Sequence, residues 1–376
     1  MKNKYLLPGI AIAFMIFIAG CKKNIICEKF PCCEIKGLPC SPPPAENEVK
    51  IIARGLFSLL IDENHKLWGS GFNYHGCLGD GTEEDKFTPV LIMENVKSAA
   101  AGWQSTHILK DDNTVWACGF NWYGNLGDST TTDRFTPVKI MDDVKAISAG
   151  YDVCLMLKND NTLWATGENS SGEFGDGSNT GSLYPKKVMS DVKAIASGWY
   201  HSLILKSDNS LWETDLYKLT FSKIMDDVKT MTGGYEATLI LKNDNSLWGK
   251  GYNWNGGLGD GSLIDRKTPV KIMDSVKAMA ISDYHSMFLK LDNSLYVCGS
   301  NGSGQFGNGT KETRFDYFTS TPLKVMDNVS SIAAGTKFSL IIKTDGTILG
   351  AGDNISGALG DGTNQDRLTF SPAMIR

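Results

Sequence analysis

From Val49 to the C-terminus, apolar residues fall into short runs, each ended by Gly, Pro, Asn or Asp. Residues 136–167 show the pattern. Pro137 to Met141 is a β-rich run, Asp142-Asp143 separates it from Val144 to Ile147, and Ala149-Gly150 ends that second run. Val153 to Lys158 follows, Asn159-Asp160-Asn161 turns the chain, and Leu163-Trp164 opens a fourth run that stops at Gly167. Runs this short, with turn residues at every reversal, predict antiparallel strands. On this phasing Asp142-Asp143 is expected to be a tight hairpin. The run before the Asn-Asp turn is apolar at consecutive positions, as in Leu203-Ile204-Leu205 and Leu239-Ile240-Leu241. A strand with one wet face would alternate, so each sheet is expected to be covered on both faces.

The pattern recurs seven times. Copies begin at Val49, Val96, Val144, Val192, Val228, Val276 and Val329, spaced by 47, 48, 48, 36, 48 and 53 residues. A period in this range marks a repeat architecture. Radially stacked four-stranded sheets cover one another and leave only short edges, so the chain is expected to be all-β: a seven-bladed β-propeller of antiparallel blades over residues 48–376. The first copy lacks a preceding P-V-K-I run, and the last ends with one, Ser371 to Arg376. That C-terminal strand is therefore expected to pair with the strand at Val49 and close the ring, with Pro372 at its start. Copy four is short and lacks the glycine-rich connection, while copy six gains residues around Phe315-Asp316-Tyr317-Phe318. A notch and a bulge in an otherwise even array reflect either tolerated loop drift or a place for one partner to sit.

The N-terminus changes the picture of where this body works. Lys2 and Lys4 precede an apolar run from Leu6 to Ala19, too short to span a bilayer comfortably and placed where an export signal belongs. Its end, Ile18-Ala19-Gly20-Cys21, resembles the lipobox of bacterial lipoproteins. That resemblance implies a signal peptide over 1–20, lipidation of Cys21, and a membrane-anchored location in the periplasm or on the cell surface. Residues 21–47 form a Cys/Pro-rich tether ending in Ser41-Pro42-Pro43-Pro44. Cys27, Cys32, Cys33 and Cys40 crowd this tether, an even cluster expected to form two disulfides in an oxidising compartment. Their spacing contains no C-x-x-C knuckle, and no metal site or cofactor is expected. Cys118 and Cys298 share one repeat position and read as small core residues. Loss of Lys2 and Lys4 moves the formal charge from −5 to −7. An acidic exported body with no basic run beyond Lys22-Lys23 is not built for nucleic acid.

The motifs that repeat build the fold. The connection G-x-N-x-x-G-x-L-G-D-G spans Gly71 to Gly81 and Gly251 to Gly261, with Ser129 in place of the last Gly in Gly119 to Asp128. Gly302 to Gly307 matches G-x-G-x-x-G, but no helix or βαβ unit follows, so it is no dinucleotide site. Asp160-Asn161 and its equivalents lack the twelve-residue loop of a calcium site and read as hairpin turns. With Ser197-Gly198-Trp199-Tyr200-His201-Ser202-Leu203-Ile204-Leu205-Lys206, these elements resemble the regulator-of-chromosome-condensation repeat family over residues 48–376. The resemblance implies the seven-bladed propeller. The founding nuclear member exchanges nucleotide on a small GTPase and docks on chromatin. No exchange residue transfers to this chain, and for an exported protein no small GTPase partner is expected. Secreted bacterial relatives that inhibit β-lactamases use a propeller face to bind protein.

No H-E-x-x-H, G-x-S-x-G or P-loop is present, and the five histidines are dispersed. His201 and His285 share a strand position and read as hydrogen-bonded core residues. The positions that vary carry the candidate chemistry. Trp103, Tyr151, Trp199 and Tyr235 follow the A-G corner in four consecutive copies, and Tyr74, Trp122 and Trp254 follow the loop Asn, with Tyr123 adjacent. Equivalent positions lie at equivalent radius and height, so each set should form an arc on one end of the ring. Aromatic residues at loop positions offer large contact area at small entropic cost; as caps they would seal the blade cores. The sequence thus points to a binding module that recognises a protein or a glycan through this face. The alternatives are an enzyme with an axial pocket and a structural spacer of the cell envelope.

Overall fold

The computed structural model describes residues 49–214, 219–312 and 318–374. The expected signal peptide over 1–20, Cys21, the expected tether and the four cysteines expected to pair within it lie outside the described residues, as do residues 313–317 of the copy-six insertion. Residues Asn47–Arg376 form one compact unit. It is a seven-bladed β-propeller of four-stranded antiparallel sheets, with no helix among the described residues.

Each blade takes its four strands, in chain order, from one copy of the repeat. In blade 3 these are Val144–Ala149, Val153–Lys158, Leu163–Gly167 and Ser182–Met189. This corrects the phasing expected from residues 136–167. Asp142-Asp143 is not a hairpin; it carries the chain from the outer strand of blade 2, Arg134–Met141, to the inner strand of blade 3. The backbone explains why. A type I′ hairpin needs positive φ at both central residues, and only the second is positive here, Asp143 at 65° and its equivalents Asn95, Asp191, Asp227, Ser275 and Asn328 at 61–63°.

Closure also differs from the expected pairing. The last strand, Arg367–Pro372, pairs with Ile348–Gly352 of its own blade, and Lys50–Arg54 pairs only with Phe57–Ile61. The ring closes by packing. Ile51 and Leu60 of blade 1 share a buried cluster with Phe338, Leu340, Leu359, Ala373 and Met374 of blade 7. The C-terminal residues therefore take part in closure through side chains, while the seam carries no exchanged strand.

The core lies between blades. In each blade the second strand is buried along its length, as the consecutive apolar positions required. A Leu or Phe from the glycine-rich loop plugs the space beside it: Leu78, Leu126, Phe174, Leu258, Phe306 and Leu359 are all essentially inaccessible. Burying one such side chain stabilises by about 1.5–3 kcal/mol. The residue it rests on must be small. A Cβ at Gly69 would lie 2.9 Å from Leu78 Cδ2. The loop Asn is a scaffold: Asn73 Nδ2 donates to Asp80 Oδ1 and the Thr82 carbonyl, both at 3.0 Å, and its Oδ1 accepts from the Leu78 amide at 2.9 Å. In the Asp-Asn turn, Asp160 Oδ1 accepts from the Thr162 amide and hydroxyl, and the Thr162 hydroxyl accepts from Trp164 Nε1. Gly302 to Gly307 is one more copy of the loop, ordered by Asn301.

Candidate functional site

Strands alternate in direction, so the corner after each first strand and the long loop after each third strand lie on the same end of the ring. Backbone bonds tie them together, Phe120 N to Gln104 O at 2.9 Å and Tyr252 N to Glu236 O at 3.0 Å. The candidate aromatics are all on this end. Trp103, Tyr151, Trp199 and Tyr235 are half-buried and stack in sequence, with ring centroids 4.7, 4.6 and 4.9 Å apart. The line continues through Tyr252 and Trp254 to Phe318, at 5.8, 6.1 and 5.1 Å. Tyr200 packs against Tyr151, Trp199 and Tyr235. Trp254 thus joins the corner set. Tyr74 and Trp122 belong to a second group on blades 1 and 2, linked through His75 and Phe120. Their exposures, 61% and 69%, exceed the 43% of Trp254.

The axis holds a residue that the pattern alone did not single out. Arg54 ends the inner strand of blade 1, where the other blades place Ala101, Ala149, Ser197, Gly233, Ile281 and Ala334. These leave room for its side chain to cross the ring. Its Nη1 donates to the carbonyls of Ala149 and Ser197, both at 3.2 Å, and Nη2 is buried without a partner. Asp283 faces it, accepting from Thr336 Oγ1 at 2.9 Å and from the Trp199 side chain. Burial pushes the Asp283 carboxyl up, and Arg54 opposes that shift. Trp199 is therefore held from two sides, by ring contacts and by the axial acid. A lone charged residue at a position otherwise uncharged was the available signal for this cluster.

The missing loop of blade 4 leaves a cavity of about 520 Å³ between blades 4 and 5, lined by Tyr200, His201, Glu213, Lys250, Tyr252 and Arg266 among others. The notch expected from copy four is thus present on the aromatic end. Its floor is polar. Glu213 stands where other blades place Gly, Ala or Val, and Lys250 where they place Ser, Thr, Cys or Ala. Buried Glu213 and half-buried Lys250 form an ion pair. Glu213 Oε1 also accepts from Thr238 Oγ1 at 2.7 Å, and His201 Nε2 lies 3.2 Å from the same hydroxyl. His285, at the equivalent position, contacts Ser282 Oγ at 3.0 Å and Ser339 Oγ at 2.8 Å. Burial depresses its pKa to about 3. Both histidines are core residues, as their strand position implied. The cysteines of the repeats are buried and unpaired. Cys118 and Cys298 sit 3.6 and 3.3 Å from the loop carbonyls of Cys77 and Gly257.

A second cluster lies under the rings between blades 3 and 4. Asp152, Glu168 and Glu173 converge beside Tyr151, Trp199 and Tyr200. Desolvation, then the charges of Glu168 and Glu173, push Asp152 up to about 7. Burial also raises Glu173, and pushes the Tyr151 hydroxyl up to about 12. The candidate aromatics pointed to this end of the ring, but not to these acids, because Asp and Glu are common at turn positions throughout the chain.

An axis stopped by Arg54 and an end paved with aromatic side chains define a propeller whose distinctive chemistry lies on one face. The sequence pattern of the regulator of chromosome condensation (RCC1) repeat matches residues 64–109, 112–157, 160–205 and 292–342, and a second form of it matches 144–173 and 276–305. The chain belongs to this repeat family. Among solved structures it is similar to Prp20p from Saccharomyces cerevisiae, with 20% identity over 86% of this chain and 87% of that one and a TM-score of 0.72. The structure of Prp20p was reported together with its binding properties to Gsp1p and histones. It is also similar to human WBSCR16, with 19% identity over 82% and 94% of the two chains and a TM-score of 0.71. These likenesses concern the fold. No curated protein sequence matches the chain significantly.

Proposed function

We propose that this chain is a binding module, exported and held at a membrane by a lipid on Cys21, which engages a protein partner through the aromatic end of its propeller. The continuous line of rings from Trp103 to Phe318 carries this reading. Exposure separates contact residues from caps of the blade cores, and Trp122 and Tyr74 stand well out of the surface. Large rigid side chains at a partly exposed surface are the residues that dominate protein interfaces. The family supplies the scaffold, and fold by itself names no partner. The Cys21 anchor rests on the sequence of the first twenty-one residues.

The test uses the full chain to capture partners from envelope extract, beside a Trp122→Ser/Trp254→Ser variant. Both side chains are exposed enough that the variant should fold as the parent does. A partner captured by the parent and lost in the variant supports the reading; equal capture by both sinks it. Cys21→Ala should release the protein from membranes, and full retention would remove the anchor.

A further inference from the structure

The acidic pocket between blades 3 and 4 has the features of a cation site. Its space is about 20 Å³, bounded by Tyr151, Asp152, Glu168, Glu173, Trp199 and Tyr200. A cavity of about 10–15 Å³ or more holds one water-sized group, which suits an ammonium head and is too small for a planar guanidinium. Asp152 is only 8% exposed, lines this space, and keeps Oδ1 without a hydrogen-bond partner. The charges that reach it, Glu168 and Glu173, are both negative. A buried carboxylate in that position is costly unless a cation joins it. Three aromatic side chains, Tyr151, Trp199 and Tyr200, border the space and exclude water from around it. No group of His, Cys, Asp or Glu among the described residues is arranged to hold a metal.

We propose that this pocket receives the ε-ammonium of a lysine side chain on the protein partner. The proposal rests on the aromatic end being the docking surface, and it names the chemistry of one anchor on the other side. The ammonium supplies three donors, one of them for Asp152 Oδ1, while its alkyl stem leaves past the rims of the rings that line the space. Geometry also sets a pH dependence. Asp152 is faced by Glu168 and Glu173 from the long loop of its own blade, by adjacent Tyr151, and by Tyr200 from blade 4. In the empty pocket it titrates near 7. Below that pH it is protonated and loses its hold on an ammonium, so affinity falls with acidification.

The experiment is calorimetric titration of the full chain at pH 8 with the peptide acetyl-Gly-Gly-Lys-Gly-Gly-amide, its Nε-acetyl-lysine counterpart and its arginine counterpart. The expected result is binding of the lysine peptide, weakened by about tenfold or more on acetylation, on replacement by arginine, and in Asp152→Asn, corresponding to about 1.4 kcal/mol or more. Leu291→Ser, in an exposed turn on the opposite end of the ring, should leave it unchanged. Near-ultraviolet circular dichroism checks the fold, and Glu173→Gln repeats the test if Asp152→Asn does not fold. No binding at millimolar peptide, equal binding of the acetylated or arginine peptide, or equal binding by the folded acid variants overturns the lysine assignment. If the assignment fails while partner capture still depends on Trp122 and Trp254, it falls alone. If that dependence is absent too, the docking reading falls with it.

Discussion

Blades 4 and 6 solve one packing problem in two ways. In blade 6 the long loop supplies Phe306 as a plug and the Gln305 carbonyl as an acceptor, over Val297 of the third strand as the apolar floor. Ser339 of blade 7 donates to that carbonyl at 2.8 Å, and His285 Nε2 contacts the same hydroxyl. Blade 4 lacks the loop and so lacks plug and carbonyl together. Glu213 replaces both: its Oε1 accepts from Thr238, the equivalent of Ser339, and Lys250 reaches over from blade 5 to balance its charge. His201 keeps its contact with the next blade's hydroxyl. The hydrogen-bond pattern between blades is therefore kept while the apolar contribution is given up. Polar groups specify geometry here at the expense of hydrophobic burial, and the freed space becomes a cavity on the aromatic end.

The sharpest way to break this comparison is to remove half of the ion pair. Glu213→Ala removes the partner of half-buried Lys250 and the carboxylate acceptor of Thr238, and should cost about 1–3 kcal/mol in urea denaturation. Glu213→Leu with Lys250→Met should come out near the parent or more stable, since an apolar pair of similar volume often matches a buried ion pair. A double variant as unstable as Glu213→Ala would refute the view that the pair substitutes for a plug. In the regular blades the plug itself should matter: Leu258→Ala is expected to cost about 2–5 kcal/mol through lost burial and the cavity left behind.

Acid acts on the buried histidines of the regular blades, His285 in blade 6 and His107 on the second strand of blade 2. His285 titrates near 3 and His107 near 4 when folded, against an ordinary 6.5. The unfolded chain therefore binds more protons below 6.5, and the stability they contribute is complete above that pH and lost as pH falls toward 3. His285→Phe, the residue type blades 1 and 7 carry at this position, should flatten the melting temperature between pH 6.5 and 4. An unchanged pH profile would contradict the buried neutral state. The smallest effect belongs to the surface: Trp122→Ser should shift stability by no more than about 0.5 kcal/mol, while still weakening partner capture.

The contrast also explains how much was legible in the sequence. Seven copies, turn chemistry and fully apolar strands were enough for blade number, strand count and the identity of the buried strand. Blade phase was not legible from residues 136–167. Two polar residues between apolar runs serve a hairpin and an interblade link equally well, and only the sign of φ at Asp142 separates them. Closure followed the same error, since a strand missing at one end and present at the other suggests exchange only on the wrong phase. The aromatic end was legible because equivalent positions in a ring share a radius and height. Arg54, Asp152 and Glu213 were not, because each gains its meaning from a neighbour far away in the chain: Ser197, Glu173 and Lys250 respectively.

The absence of strand exchange at the seam has a consequence for ancestry. Each copy of the repeat folds into one complete blade, so duplication or loss of a single unit inserts or deletes a whole sheet and cuts none. The boundary between blade 7 and blade 1 is sealed by the same kind of side-chain packing as the other boundaries. New termini opened between two other blades, with Met374 linked to Val49, would interrupt no strand pair. The present position of the ends is thus one of seven equivalent choices for the sheets. The axial arginine and the shortened fourth unit set blades 1 and 4 apart from the others.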